Sequence, residues 1–306
     1  MTDAGQGYIA NPVQACADIP AAPPAGEGPS KAAPAESGAE RAARVRASKP
    51  ARGTRTGFST GACSATAARA CAIGLVTGQV PDTVESLLAN GRRYTFSIHD
   101  GRVEGEGLNR TAHGYVQKFA GDDPDCTDGA HLTVDLRILP GQAGEVRYRA
   151  GPGVGTVTLP GLGLEVGGPA INPVPRRNIA ENLHEVAGSL LAEHGLEVTI
   201  SVPDGEVMAR KTTNARLGIL GGISILGTSG IVRPYSTSAW RASVVQGIQV
   251  AAITGNDIVV LTTGGRSEAF AMREVRRLPA SCRWAIFCAT RWTRSWRRAS
   301  GWWSLA

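Results

Sequence analysis

No stretch of this 306-residue chain approaches the roughly 18 uncharged apolar residues that a membrane-spanning helix requires. The N-terminus has no basic region followed by an apolar run, so a secretory signal is not expected. Cysteines at metal-ligand spacing are missing as well. Cys16, Cys63, Cys71, Cys126, Cys282 and Cys288 form no Cys-x-x-Cys pair and no Cys/His set. That pattern speaks against a structural metal site or a disulfide framework and for reduced thiols. Charge of one sign is also scarce once its position is considered. The net charge is +6, but the segment from Ala280 to Ala306 supplies five Arg and no Asp, Glu or Lys. The rest is close to neutral, which argues against a nucleic-acid-binding surface. A cytoplasmic protein with neither membrane nor nucleic-acid partners is the expectation.

The chain is 42 % hydrophobic, enough to bury a core of one large or two ordinary domains. Its 39 Gly and 18 Pro favour a turn-rich α+β or α/β architecture over a helical bundle. The first 50 residues hold 14 Ala, 7 Pro and 5 Gly and show no apolar period, so residues 1–52 read as a disordered leader. Ser59 or Thr60 can cap a helix that runs to about Val76 and stops at Gly78. Strands are expected over 83–89, 92–98, 131–138 and 145–150, with turns at Asn90-Gly91 and Asp100-Gly101. Helical spacing covers 179–193, a strand 196–202, and a helix 238–250. A short strand over 258–261 then leads through a Gly turn into a helix near Ser267. The expected division is a mixed α+β domain over 53–178, followed by an incomplete Rossmann-like α/β domain over 179–279. The tail from 280 to 306 carries five of the six Trp without a helix or strand period. It reads as the product of a frameshift near Leu278 to Ser281.

Six segments have the composition of ligand-binding turns. Thr56-Gly-Phe-Ser-Thr-Gly-Ala-Cys-Ser64 opens a helix with small residues, as an anion site would, but no Gly-Lys-Ser/Thr follows. Asp122, Asp123, Asp125 and Asp128 crowd four carboxylates into one turn, suited to a hard cation or to a base of raised pKa. Gly151-Pro-Gly-Val-Gly155 lets a ligand approach the backbone, or forms a bulged hairpin. Ile171-Asn-Pro-Val-Pro-Arg-Arg177 presents two guanidinium groups, each matched to a carboxylate or phosphate. Leu217 to Ser236 alternates apolar residues with Gly and ends in Thr228-Ser229-Gly230 and Arg233-Pro-Tyr-Ser236. Val259 to Glu268 carries a strand into a Gly turn, where nucleotide-type ligands bind. Each also has a plainer reading as an ordinary cap, surface turn or close-packed backbone.

Taken in order, TGFSTGACSATAARA, AGDDPD, GPGVGTVTLPGL, INPVPRR, ARLGILGGISILGTSGIVRPYS and VVLTTGGRSE resemble the cobalt-precorrin-5B C1-methyltransferase (CbiD-type) family. The resemblance spans about Thr56 to Leu278. It implies methyl transfer from S-adenosylmethionine to carbon 1 of a cobalt-bearing, ring-contracted tetrapyrrole in anaerobic cobalamin biosynthesis. Under that resemblance Arg176, Arg177, Arg216 and Arg233, with Thr60 and Gly61, are candidates for the carboxylate-rich substrate. Gly227, Thr228, Ser229, Gly230, Gly264, Gly265 and Glu268 are candidates for the methyl donor. Asp122, Asp123 and Asp125 are candidates for handling a ring proton. No metal ligands are expected. The chain departs from the family wording at Phe119, where an acid is usual, and at Asp128, where a His is usual. Two other readings stand beside this one: a tetrapyrrole carrier without catalysis, and a small-molecule kinase using Ser59–Gly61.

Overall fold

A computed structural model describes residues 53–262, 265–275 and 284–288. After a short strand β1 (Gly57–Phe58) comes helix α1 (Thr60–Thr77). The Ser59 Oγ accepts the Ala62 N–H at 3.1 Å, and Gly78 closes the other end at φ 88°. Between these caps the side chains are mostly Ala, Gly, Ser, Thr and Cys, so neighbouring elements approach α1 closely on nearly all sides. Cys63 and Cys71 lie on it, fully buried, as free thiols.

A hairpin follows, β2 (Thr83–Leu87) with β3 (Arg93–Ser97), turning at Asn90-Gly91. The main sheet then takes β4 (His99–Glu104), β5 (Thr111–Gln117), β6 (His131–Leu139) and β7 (Val146–Ala150). Two-residue strands β8 (Gly153–Val154) and β9 (Thr156–Val157) lead to helix α2 (Pro173–Glu193) and strand β10 (Gly195–Ser201). The sheet order is β4-β5-β6-β10-β7, with β10 antiparallel to β6 and parallel to β7. Alternation explains how the sheet sits. Leu132, Val134, Leu136 and Ile138 of β6 and Leu196, Val198 and Ile200 of β10 are buried. They share one core with α1 and the Ile179, Leu183, Ala187 and Leu191 stripe of α2. The alternate residues form a polar face. There Glu197, its side chain 4 % exposed, pairs with Arg137 at 2.7 Å and Arg149 at 3.0 Å.

The second part of the chain has helix α3 (Gly205–Ala209), then β11 (Ile219–Leu220), β12 (Gly222–Ile223) and β13 (Ile231–Val232). Helix α4 (Thr237–Ile253), strand β14 (Ile258–Thr262), helix α5 (Gly265–Val275) and strand β15 (Trp284–Cys288) complete it. The strands β14 and β15 are parallel, so β14-α5-β15 is a βαβ unit. The fold class is mixed α+β.

Several expectations meet a different structure. Helix α2 starts at Pro173, not near 179, because Pro at the first helical positions costs no hydrogen bond there. Asp100-Gly101 is a bulge inside β4, with Asp100 at φ 53°, rather than a turn between strands. The boundary expected at residue 178 falls inside α2, and β10 lies in the sheet between β6 and β7. The first core thus runs across that boundary, from α1 and the main sheet through α2 to Ile223 and Ile225, while Val157 of β9 packs in a separate cluster with Ala170 and Ile219. The expected bulged hairpin at Gly151–Gly155 is instead a parallel pairing of β8 with β12. A Cβ on Gly222 or Gly205 would overlap the Gly153 backbone, so these three glycines are needed for packing. Within the tail, Trp-Ala-Ile-Phe-Cys pairs as β15. A short continuous apolar run, without alternation, is the usual pattern of a parallel strand. Leu278 to Ser281, where the frameshift is expected, lie outside the described residues.

Candidate functional site at the start of helix α1

Four of the six segments meet around the N-terminal end of α1. Gly57 and Phe58 pair with Val232 and Ile231, joining β1 to β13. Ser59 N–H donates to Gly230 O at 2.9 Å and Gly61 N–H to Leu226 O at 3.0 Å. The Thr60 hydroxyl donates to Ser224 O at 3.1 Å and accepts the Leu226 N–H at 2.9 Å. A Cβ on Gly227, which sits at φ 138°, would overlap the Ser59 side chain, so the turn presses directly on the helix cap. On the other flank a Cβ on Gly61 would come within 2.7 Å of the Pro175 ring in α2. The first N–H groups of α1 are therefore used by this chain: Gly61 by Leu226, Ala62 by Ser59. Thr60 and Gly61 are buried here.

The four carboxylates of the acidic turn diverge instead of sharing a site. Asp122 accepts both the Arg55 N–H at 2.8 Å and its Nε at 2.9 Å. Asp123 accepts the Tyr235 N–H at 2.8 Å. Asp125 accepts the Lys118 Nζ at 2.8 Å through one oxygen, and the Thr127 N–H and hydroxyl through the other. Asp128 accepts the Ala120 N–H at 2.8 Å. The Lys118 side chain is 1 % exposed, so its ammonium lies inside the protein against Asp125. The mutual raising of pKa that one reading of this turn allowed is not what the geometry produces at Asp122 and Asp125. Backbone and side-chain hydrogen bonds from Arg55 pull Asp122 below the ordinary carboxylate range. Burial alone would raise Asp125, but the Lys118 charge, its hydrogen bond and those of Thr127 outweigh it and lower the pKa. Among the described residues no group of three or more His, Cys, Asp or Glu side chains is placed to hold a metal ion.

The four candidate arginines differ in what they already hold. Arg176 donates from Nε to Ile171 O at 2.9 Å and stacks on the Tyr148 ring at 5.3 Å. Arg177 is exposed and lies 3.8 Å from Glu181. Arg216 forms an ion pair with Glu268, so one candidate for the substrate and one for the methyl donor are in contact. Arg233 is exposed, and its guanidinium has no hydrogen bond or ion pair among the described residues. Thr228 is exposed at the tip of its turn, while the Ser229 Oγ is 3.3 Å from both Ile231 N and O. Gly265 opens α5; Gly264 lies outside the described residues. Arg55, Lys118 and Tyr235 are the residues to which sequence alone assigned no role. A Lys at the end of an alternating strand, seven residues before an Asp, was the available signal for the buried pair.

Exposed apolar groups rim the same region: Leu226 at 48 %, Phe119 at 45 % and Tyr235 at 39 %. Arg55 stacks over the Phe119 ring at 5.6 Å. Cation and apolar surface side by side suit a flat organic ligand with carboxylate arms.

Comparison with known proteins supplies the family. The sequence model of the CbiD family matches residues 47–234. The chain belongs to the CbiD family. A cobalt-precorrin-5B C(1)-methyltransferase of Polaromonas sp. is 67 % identical over 232 residues, which are 74 % of this chain and 62 % of the relative. The enzyme of that name from Variovorax paradoxus is 68 % identical over 228 residues, 74 % of this chain and 61 % of the relative. The one from Salinispora tropica is 56 % identical over 233 residues, covering 74 % and 58 %. The chain thus spans about three fifths of the length of the curated CbiD relatives it matches. A crystal structure of cobalamin biosynthesis protein CbiD from Archaeoglobus fulgidus aligns with a TM-score of 0.43 at 27 % identity, covering 73 % of this chain and 68 % of that one.

Proposed function

We propose that this chain carries the acceptor-binding and donor-facing elements of an S-adenosylmethionine-dependent methyltransferase acting on carbon 1 of cobalt-precorrin-5B. One observation carries the reading beyond family membership: segments from residues 55–61, 119–128, 171–177 and 224–235 converge on one rim that combines Leu226 and Phe119 with Arg55 and Arg233. A macrocycle bearing acetate and propionate arms needs that combination of apolar contact and guanidinium groups.

The donor side is assigned to the carboxyl end of β14. Glu268 stands in the first turn of α5, just past that strand, and an acid at that place in a strand–turn–helix unit is suited to a nucleoside-type ligand. Its carboxylate, 20 % exposed, has the chemistry to accept hydrogen bonds from ribose hydroxyls. Thr228 is the polar group that the Gly227–Gly230 turn leaves facing outward. Bound S-adenosylmethionine supplies an electrophilic sulfonium methyl. The residues of this chain then act by holding the acceptor and limiting its orientations, which is worth several kcal/mol in displacement reactions. Asp122 and Asp125, held ionised by their cations, are poor proton acceptors near neutral pH, so no proton step is assigned to them.

The test is anaerobic incubation with cobalt-precorrin-5B and S-adenosylmethionine labelled in its methyl group. Label in the tetrapyrrole at carbon 1 is expected. Tetrapyrrole binding without label transfer would leave the carrier reading in its place.

A further inference from the structure

Asp123 lies in the acidic turn, yet its carboxylate is directed at a residue more than a hundred positions away. It accepts the Tyr235 N–H at 2.8 Å. Tyr235 sits at φ 57°, a left-handed conformation that a bulky side chain seldom adopts without an external hold. Its neighbours give this hold a use. Two residues before it is Arg233, the one candidate arginine whose guanidinium is uncommitted among the described residues. One residue after it is Ser236, whose Oγ caps α4 by accepting the Ala239 N–H at 3.3 Å.

Resting on the functional reading above, we propose that Asp123 is a positioning residue for the methyl acceptor. Its carboxylate fixes the backbone at Tyr235, and that fixed turn presents Arg233 to a carboxylate arm of the tetrapyrrole. Asp123 does not exchange a proton with the ring in this scheme. The acidic turn is itself rigid enough to serve as the anchor. Lys118 and Thr127 hold Asp125, and Ala120 N–H holds Asp128.

The experiment compares Asp123→Ala, Asp123→Asn and Arg233→Gln in the full chain. It reads amide hydrogen exchange at Tyr235 and steady-state methylation of cobalt-precorrin-5B across pH. Asp123→Ala should lose protection at Tyr235 and raise KM for the tetrapyrrole about tenfold, the order expected for losing one charge-assisted hydrogen bond. Its kcat and its pH profile should stay in place. Asp123→Asn keeps an acceptor oxygen and should restore most of both readouts. Arg233→Gln should raise KM similarly with Tyr235 still protected. Unchanged protection in Asp123→Ala overturns the inference, as does lost protection with unchanged KM. A collapse of kcat in Asp123→Asn would return Asp123 to the role of base and also overturn it. If the unmodified chain methylates nothing, the functional reading falls, and the exchange data alone decide whether Asp123 holds the turn.

Discussion

Lys118 illustrates how one buried charge constrains its surroundings. An ammonium with a 1 % exposed side chain is tolerable only because Asp125 meets it at 2.8 Å and Thr127 occupies the second carboxylate oxygen. Removing one partner strands the other. Asp125→Ala should therefore destabilise the protein by about 3–5 kcal/mol, read as a lower urea midpoint. Pairing it with Lys118→Met should recover most of that loss. The same pair sets an acid limit. The pKa of Asp125 is depressed in the folded state, so its contribution is complete above the ordinary Asp value of about 3.9. That contribution disappears as pH falls through the lower folded value. Thermal melts between about pH 5 and 2 should show a steeper loss, setting in below about pH 4, for the parent chain than for the Lys118→Met, Asp125→Leu variant. At this scale the sequence was informative about residue type and silent about pairing. Four carboxylates in one turn are plain to see; that each faces a different cation or N–H is settled by strands and turns far away in sequence.

At the level of elements, helix α1 depends on the residue that caps its start and on the smallness of its faces. Ser59→Ala removes the acceptor for the Ala62 N–H and should cost about 1 kcal/mol by chemical denaturation. Ala67→Leu adds bulk where the side chain is fully buried and should cost at least as much, about 1–3 kcal/mol. Elements with a clear period and a clear stop were legible: α1 with its Ser and Gly caps, the alternating β6, and the 90–91 hairpin. Strand β5 was not, because His113, Tyr115 and Gln117 alternate with Ala112, Gly114 and Val116, and small residues weaken the apolar signal. Strand β4 was hidden by the bulge at Asp100-Gly101, whose residues are those of a turn. The start of α2 was displaced because two prolines can open a helix as readily as they can exclude one.

Across the whole molecule, the contacts that assemble the candidate site join residues 55 with 122, 60 with 226, and 123 with 235. Local period and turn chemistry carry no information about such distant pairs, which is why the motifs were legible and their meeting point was not. The Arg216–Glu268 ion pair is another such link, between the turn before β11 and the first turn of α5. With both side chains partly exposed, Glu268→Gln should change global stability by less than about 1 kcal/mol. Binding of S-adenosylhomocysteine, followed by calorimetry, should weaken far more if Glu268 faces the ribose. Equal affinity in the two forms would move the donor elsewhere.

The thiols on α1 offer a clock for whole-protein opening. Burial pushes Cys63 up to about 12 and raises Cys71 as well, while neither sulfur reaches solvent in the closed form. Burial and the neighbouring Asp125 charge raise the Cys126 thiol too, so an alkylating reagent such as iodoacetamide should modify this partly exposed cysteine slowly, yet still before Cys63 and Cys71, which stay unlabelled until the central helix is stripped of its neighbours. Peptide mass mapping over time would then time the loss of that helix's packing, cysteine by cysteine.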